Sequence, residues 1–133
     1  MPSISRVCAV VLRQRDGLEV LAFRHPKAGL QLIKGRPDAG ETPPQTAKRE
    51  LFEESGVQAT ATNDIGLAMV APGQIWAFVD CATAPLPENW VHHCADDDGL
   101  MFEFFWHPLN AEPGADWHAT FRQALGFLRD RKQ

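Results

Sequence analysis

The segment from Thr42 to Gly56 constrains the fold more tightly than any other part of the sequence. Thr42 is a suitable N-cap, Pro43 follows at the first helical position, and Gln45 stands three residues after the cap, which makes a capping box. Gly56 stands where a left-handed residue commonly ends a helix. The sequence therefore predicts a helix from about Pro43 to Ser55.

Apolar runs on both sides of this helix predict strands. The first two runs are joined by Asp16 and Gly17, a strong signal for a β-hairpin. Apolar residues at helical spacing from Trp117 to Leu128 predict a C-terminal helix capped by Asp116. This order predicts an α/β sandwich with a mixed β-sheet, one internal helix and a C-terminal helix. The expected strands are Arg6–Leu12, Leu18–Arg24, the short run LQLI, Ile65–Val70, Gln74–Cys81 and Phe102–His107.

The composition is typical of one cytoplasmic domain. The chain has 133 residues, enough to bury a sizeable core, and 44% of them are hydrophobic. The net charge of −4 gives no reason to expect a nucleic-acid polymer or an anionic membrane as partner. Three cysteines without a CxxC pair, at Cys8, Cys81 and Cys94, indicate reduced thiols. No apolar run is long enough for a membrane span, and no signal peptide is visible.

Three glutamates of the predicted helix, Glu50, Glu53 and Glu54, form one stripe, because residues three and four apart share a helix face. Leu51 lies beside this stripe, so the glutamates should border the core rather than point into bulk water. A solvated acidic face is the ordinary interpretation of such a helix. However, Arg49 alone is well placed to pair with the glutamates, and like charges on one face destabilise a helix. A hard divalent cation such as Mg²⁺, which prefers carboxylate oxygens, would relieve this repulsion.

The same segment resembles the Nudix box of the Nudix (MutT-like) hydrolase family, G-x5-E-x7-R-E-U-x-E-E-x-G-U, where U is aliphatic. Every specified position is filled. The resemblance implies a single Nudix hydrolase domain over residues 1–133, with a Nudix-type α/β/α sandwich and a catalytic internal helix. It also implies Mg²⁺-dependent hydrolysis of a pyrophosphate bond in a nucleoside diphosphate linked to another moiety, with Mn²⁺ as a substitute. The matching residues are Gly35, Glu41, Arg49, Glu50, Leu51, Glu53, Glu54, Gly56 and Val57.

The resemblance also implies a role for each polar residue of the motif. Arg49 would orient Glu53, and Glu41 would support the geometry of the loop and the helix. A carboxylate near the attacking water would act as general base, and Glu53 is the first candidate. The implied metal ligands are the carboxylates of Glu50, Glu53 and Glu54 and the backbone carbonyl of Gly35. The candidates for the base outside the motif are Asp97, Asp98 and Glu103.

Several features outside the motif have two interpretations. Lys34 and Arg36 flank the motif glycine, so they are candidates for binding substrate phosphates, with solvation as an equal alternative. His92 and His93 lack the spacing of a zinc site and are expected in a loop. For the tryptophans, core packing is the commoner role and stacking on a nucleobase is the alternative. The candidates among the four tryptophans are Trp76, Trp90 and Trp106.

The resemblance implies a small nucleotide as substrate, but the motif does not specify which one. Pro72 follows the motif at a distance similar to that of a proline associated with ADP-ribose hydrolases, whereas the absence of tyrosine argues against a dinucleoside polyphosphate. Nucleoside triphosphates stay open. The alternative function is a catalytically silent Nudix-like module that senses a nucleotide, although such modules usually lose motif glutamates. A homodimer is compatible with the sequence, which does not specify the oligomeric state.

Overall fold

The structure is a computed structural model that describes residues 3–95 and 99–132. It contains nine strands and two helices within those residues. In chain order they are β1 (Ile4–Val10), β2 (Leu12–Gln14), β3 (Leu18–His25), β4 (Gly29–Gln31), β5 (Ile33–Gly35), α1 (Pro43–Ser55), β6 (Ala61–Ala71), β7 (Gln74–Ala82), β8 (Trp90–Cys94), β9 (Leu100–Pro108) and α2 (Ala119–Lys132). None of the helices in the described ranges is long and apolar enough to cross a membrane.

The strands form two sheets rather than one. The first is mixed, in the order β5-β1-β7-β6, with β1 and β7 parallel, which confirms the predicted mixed sheet. The second is antiparallel, in the order β2-β3-β9-β8, with β4 paired to β3. Two predicted strands are each divided between the sheets, the first at Val11 and the run LQLI at Leu32. Both dividing residues are buried, so their apolar character gave no signal of a break.

Alternate residues of β1 belong to two different cores, because successive side chains of a strand point to opposite faces. Val7 and Ala9 pack in one core with Leu51 of α1. Cys8 packs in the other core with Leu128 of α2. The first sheet therefore lies between the two helices, and the predicted α/β/α sandwich is confirmed.

Helix α1 begins and ends where the sequence predicts. The Thr42 side chain accepts a hydrogen bond from the Gln45 backbone N–H at 3.4 Å, and the Gln45 side chain accepts one from the Thr42 N–H at 2.9 Å. At the other end, Gly56 has a φ of 79°, which a residue with a side chain rarely adopts. Its N–H donates to the Phe52 carbonyl at 2.8 Å. The first core and these caps together fix the helix over β5.

Two local expectations are wrong. His92 and His93 lie in β8, an edge strand that pairs antiparallel with β9, and not in a loop. Asp116 does not cap the last helix, because α2 begins at Ala119 and the His118 imidazole accepts the hydrogen bond from the Thr120 N–H at 3.2 Å. Strand pairing decided the first case, since the run around the histidines has no strong alternation of its own.

Candidate active site

The stripe of glutamates lies in a pocket between α1 and the second sheet. Glu50, Glu53 and Glu54 all line this pocket, whose volume is about 200 Å³. Glu54 is buried, whereas Glu53 has a side-chain exposure of 32%. The stripe therefore borders the core, as the neighbouring position of Leu51 on the helix predicts. The other lining residues are Phe23, Gln31, Lys34, Cys94 and Phe102.

Arg49 connects three glutamates of the motif, and its Nε also lies 3.3 Å from the carboxylate of Asp38. Its Nε and Nη2 atoms donate to the two carboxylate oxygens of Glu41, at 2.8 and 2.9 Å. Its Nη1 donates to Glu50 at 2.8 Å and reaches Glu53 at 3.3 Å. These contacts raise the pKa of Arg49, with the Glu41 hydrogen bonds as the largest cause. The guanidinium therefore binds Glu41 on one side and contacts the glutamates of the stripe on the other side.

Glu41 joins the loop before α1 to the helix itself. Besides the two bonds from Arg49, it accepts a hydrogen bond from the Asp38 N–H at 2.9 Å and one from the Thr46 hydroxyl at 2.7 Å. These donors stabilise the ionised form, and they lower the pKa of Glu41 to about 2, with the Arg49 hydrogen bond as the first cause. Glu41 is therefore a fixed anion that orients Arg49.

Gly35 lets the end of β5 approach the stripe closely. A Cβ atom at this position would collide with the carboxylate of Glu50. The collision arises from contact alone, because the backbone of Gly35 lies outside the left-handed region. The glycine of the motif thus leaves room for a carboxylate directly against the backbone of β5.

The donor set fits a divalent cation. Three carboxylates line one pocket, and carboxylate oxygens are the ligands that Mg²⁺ prefers; the carboxylate of Glu50 lies where a Cβ on Gly35 would stand. Within residues 3–95 and 99–132, no three acidic, histidine or cysteine side chains already stand in an arrangement that could hold a metal ion. Arg49 contacts both Glu50 and Glu53, so a cation would compete with its guanidinium for these carboxylates.

The site candidates outside the motif do not all lie at the pocket of the glutamates. Lys34 lines the pocket, but its Nζ lies 6.0 Å from the ring centroid of Phe121 in α2. Arg36 is exposed, and its carbonyl accepts a hydrogen bond from Arg49 at 2.9 Å. Glu103 lines a different pocket with Arg24, because Phe102 and Phe104 on either side of it point into the core beneath α1. The candidates Asp97 and Asp98 lie outside the described residues.

The three candidate tryptophans have packing roles. Trp76 is buried in the core beneath α2, where its ring meets Phe121 edge to face. Trp90 stacks on Phe104, with ring centroids 5.1 Å apart, and its indole N–H donates to the Ser55 carbonyl at 3.1 Å. The Trp106 indole N–H donates to the Pro87 carbonyl at 3.0 Å. None of the three lines the pocket of the glutamates.

Five pocket or support residues were not among the sequence candidates, namely Phe23, Gln31, Cys94, Phe102 and Thr46. Phe23 and Phe102 form a stacked pair in the pocket wall, with ring centroids 4.4 Å apart, and Gln31 adds an amide. Thr46 lies beneath Glu41. The aromatic pair belongs to two strands far apart in sequence, so only strand pairing could reveal it. Thr46 had a local signal, because it lies three residues before the motif arginine, and residues three apart share a helix face.

Comparisons with known proteins give one consistent result. A model of the NUDIX domain family matches residues 2–125. A Nudix hydrolase from M. smegmatis, RenU, has a TM-score of 0.63 and 20% identity, covering 96% of this chain and 84% of that one. A putative Nudix hydrolase family member from Chromobacterium violaceum has a TM-score of 0.69 and 18% identity, covering 100% and 82%.

A third similar structure is a C. elegans Ap4A hydrolase in a binary complex. Its TM-score is 0.67 and its identity 16%, with 95% of this chain and 96% of that chain covered. No curated protein sequence matches. At these identities the solved structures establish the fold, and the family model establishes membership. The chain belongs to the Nudix hydrolase family, which acts on phosphorus-containing anhydrides.

Proposed function

We propose that this protein hydrolyses a pyrophosphate bond in a nucleoside diphosphate linked to another moiety, in a reaction that depends on Mg²⁺ and accepts Mn²⁺. One observation carries the proposal. Glu50, Glu53 and Glu54 line a single pocket, and Glu50 lies against the backbone of Gly35. Carboxylates gathered in this way suit a hard cation that also binds phosphate oxygens.

The chain's own residues divide the work in this proposal. Glu50, Glu53, Glu54 and the Gly35 carbonyl would hold the ion, which when bound supplies positive charge that offsets the charge of the pyrophosphate. Glu53 is the base of first choice because it is the most accessible of the three: it would take a proton as water attacks phosphorus and the bridging P–O bond breaks. Glu41, through Arg49, keeps Glu53 oriented.

The proposed substrate is a small nucleotide derivative such as ADP-ribose or a nucleoside triphosphate. The chain has no tyrosine, so it lacks the residue associated with dinucleoside polyphosphate hydrolases, although one similar structure is an Ap4A hydrolase. Pro72 lies in the turn between β6 and β7, outside the pocket of the glutamates. Pro72 therefore supports ADP-ribose as the substrate only through its position in the sequence. Lys34 and Arg36 stay candidates for phosphate binding.

The test is product release from a panel of substrates with Mg²⁺ or Mn²⁺. The panel contains ADP-ribose, NADH, dinucleoside polyphosphates and both normal and oxidised nucleoside triphosphates. We expect at least one to be cleaved, and we expect Glu53→Gln to lower kcat by roughly 100-fold, as removal of a general base does. Glu112→Gln is the matched control, because Glu112 is an exposed glutamate on the loop before α2 that pairs with Arg129.

Two results would contradict this proposal. If one panel member binds and none is cleaved, the alternative holds and the protein is a nucleotide-sensing module. If a substrate is cleaved equally fast by Glu53→Gln and wild type, the protein is an enzyme but the base is another group. Glu103→Gln, whose carboxylate lies in a different pocket, is then expected to cleave as wild type does.

A further inference from the structure

Thr46 is a fully buried polar residue on the inner side of α1, at a position that the Nudix box leaves unspecified. Its hydroxyl oxygen lies 2.7 Å from Glu41 Oε1 and 3.2 Å from the Thr42 carbonyl oxygen. A hydroxyl has one proton to donate, so it can serve only one of these acceptors at a time. If the hydroxyl donates to the Thr42 carbonyl, Thr46 stabilises only the helix. If it donates to Glu41, Thr46 supports the site.

The shorter contact identifies Glu41 as the acceptor. The Thr42 carbonyl already accepts the backbone N–H of Thr46 at 2.9 Å, whereas a carboxylate is an acceptor-only group that forms stronger hydrogen bonds than a neutral carbonyl. Glu41 Oε1 also accepts from Arg49 Nη2 and from the Asp38 N–H, both at 2.9 Å. Of these three donors, Thr46 is the one whose rigid helical backbone and full burial fix the oxygen from below.

We propose that Thr46 is a positioning residue for hydrolysis: its hydroxyl holds Glu41, Glu41 holds Arg49, and Arg49 sets the carboxylates of Glu50 and Glu53. This inference rests on the proposed function for its effect on turnover. The chain of hydrogen bonds ends at Arg49 Nη1, which reaches Glu50 at 2.8 Å and Glu53 at 3.3 Å. Thr46 itself does not line the pocket, so it acts through the other two residues.

The experiment compares Thr46→Val, which keeps the shape and removes the hydroxyl, with Thr46→Ser, which keeps the hydroxyl. We expect Thr46→Val to lower kcat roughly 10-fold, the effect of one hydrogen bond to a charged group, with little change in KM. We expect Thr46→Ser to restore most of the lost kcat. A variant that only lost stability would reduce the active fraction and would not be rescued selectively by a hydroxyl.

A second readout does not depend on turnover. The Arg49 Nε–H donates to Glu41 at 2.8 Å, so its signal in a proton–nitrogen correlation spectrum reports the ion pair directly. Arg49→Lys assigns the signal by its disappearance. We expect Thr46→Val to shift or broaden it and Thr46→Ser to leave it in place. Ser55→Ala is the matched control, because it removes another buried hydroxyl of α1, one that donates to the Leu51 carbonyl at 2.6 Å.

The outcomes separate the two proposals. An unchanged Arg49 signal in Thr46→Val, or equal loss of kcat in Thr46→Val and Thr46→Ser, overturns the role of the Thr46 hydroxyl. If wild type cleaves no panel member, the proposed function fails, whereas the Arg49 signal still decides whether Thr46 holds the Glu41–Arg49 pair. Should Thr46→Val not fold, Thr46→Ala carries the same expectations with the same two readouts.

Discussion

At the scale of single residues, Arg49 relieves the repulsion that the spacing of the glutamates creates. Three carboxylates within one helical turn repel each other, and the guanidinium contacts Glu50 and Glu53 while Glu41 holds its far side. Bidentate pairing with Glu41 gives the guanidinium a fixed direction, which a lysine could not take. Contacts with Arg49 thus hold two of the three carboxylates of the stripe in place.

Gly35→Ala tests the close contact between β5 and the stripe. The added Cβ would meet the Glu50 carboxylate, so we expect roughly 10-fold weaker Mn²⁺ binding, measured by the paramagnetic resonance of free Mn²⁺, and a comparable loss of turnover. Gly114→Ala is the matched control, because a Cβ there would meet nothing within 4 Å and its backbone is not left-handed. Equal Mn²⁺ affinity in Gly35→Ala and wild type would contradict the assignment of Glu50 as a ligand.

At the scale of elements, β8 secures the C-terminal end of α1. The Trp90 indole N–H donates to the Ser55 carbonyl, one of the last carbonyls of the helix, which have no partner within it. The ring of His92 packs on Gly56, where a Cβ would come within 3.1 Å of the imidazole. An edge strand thus holds the turn of helix that carries Glu53 and Glu54.

Trp90→Phe should destabilise the protein because it removes this hydrogen bond and leaves a ring to stack on Phe104. We expect the free energy of unfolding to fall by about 1 kcal/mol or more in urea titrations. Trp106→Phe makes the same chemical change at an indole that donates to an exposed loop carbonyl, that of Pro87, so we expect a smaller loss. Equal losses in the two variants would mean that the Ser55 carbonyl is not what Trp90 contributes.

At the scale of the whole molecule, two cores lie on opposite faces of one sheet. A buried titratable group lies next to the core beneath α2. His107 of β9 meets the Trp117 ring edge to face, with centroids 5.1 Å apart, and its Nε2 has no hydrogen-bond partner within the described part of the chain. Burial lowers the pKa of His107 below its ordinary value of 6.5. The folded protein therefore keeps this imidazole neutral at a pH where the unfolded chain protonates it.

This arrangement predicts a loss of stability in mild acid. Because the folded-state pKa is lowered, the unfolded chain binds more protons below 6.5, so the free energy of unfolding should fall as the pH drops through 6.5 toward the folded-state pKa. His107→Gln should lack this component and show a shallower slope between about pH 7.5 and 5.5 in urea titrations. Parallel slopes for the two proteins would show that His107 is not responsible.

The sequence by itself determined the features that depend on near neighbours. The caps at Thr42 and Gly56 act within one turn of chain, and the spacing of Glu50, Glu53 and Glu54 on a helix places them on one face whatever the helix packs against. That is why the bounds of α1 and the stripe were predicted correctly.

Only the tertiary structure decided the features that depend on partners distant in sequence. The division of the first strand at Val11, the place of His92 in β8 and the position of Glu103 in a pocket away from Glu53 each follow from pairing between strands. A period of two fixes which residues alternate but not which face becomes the pocket. Pairing energies between remote segments made that choice, and no local pattern contains them.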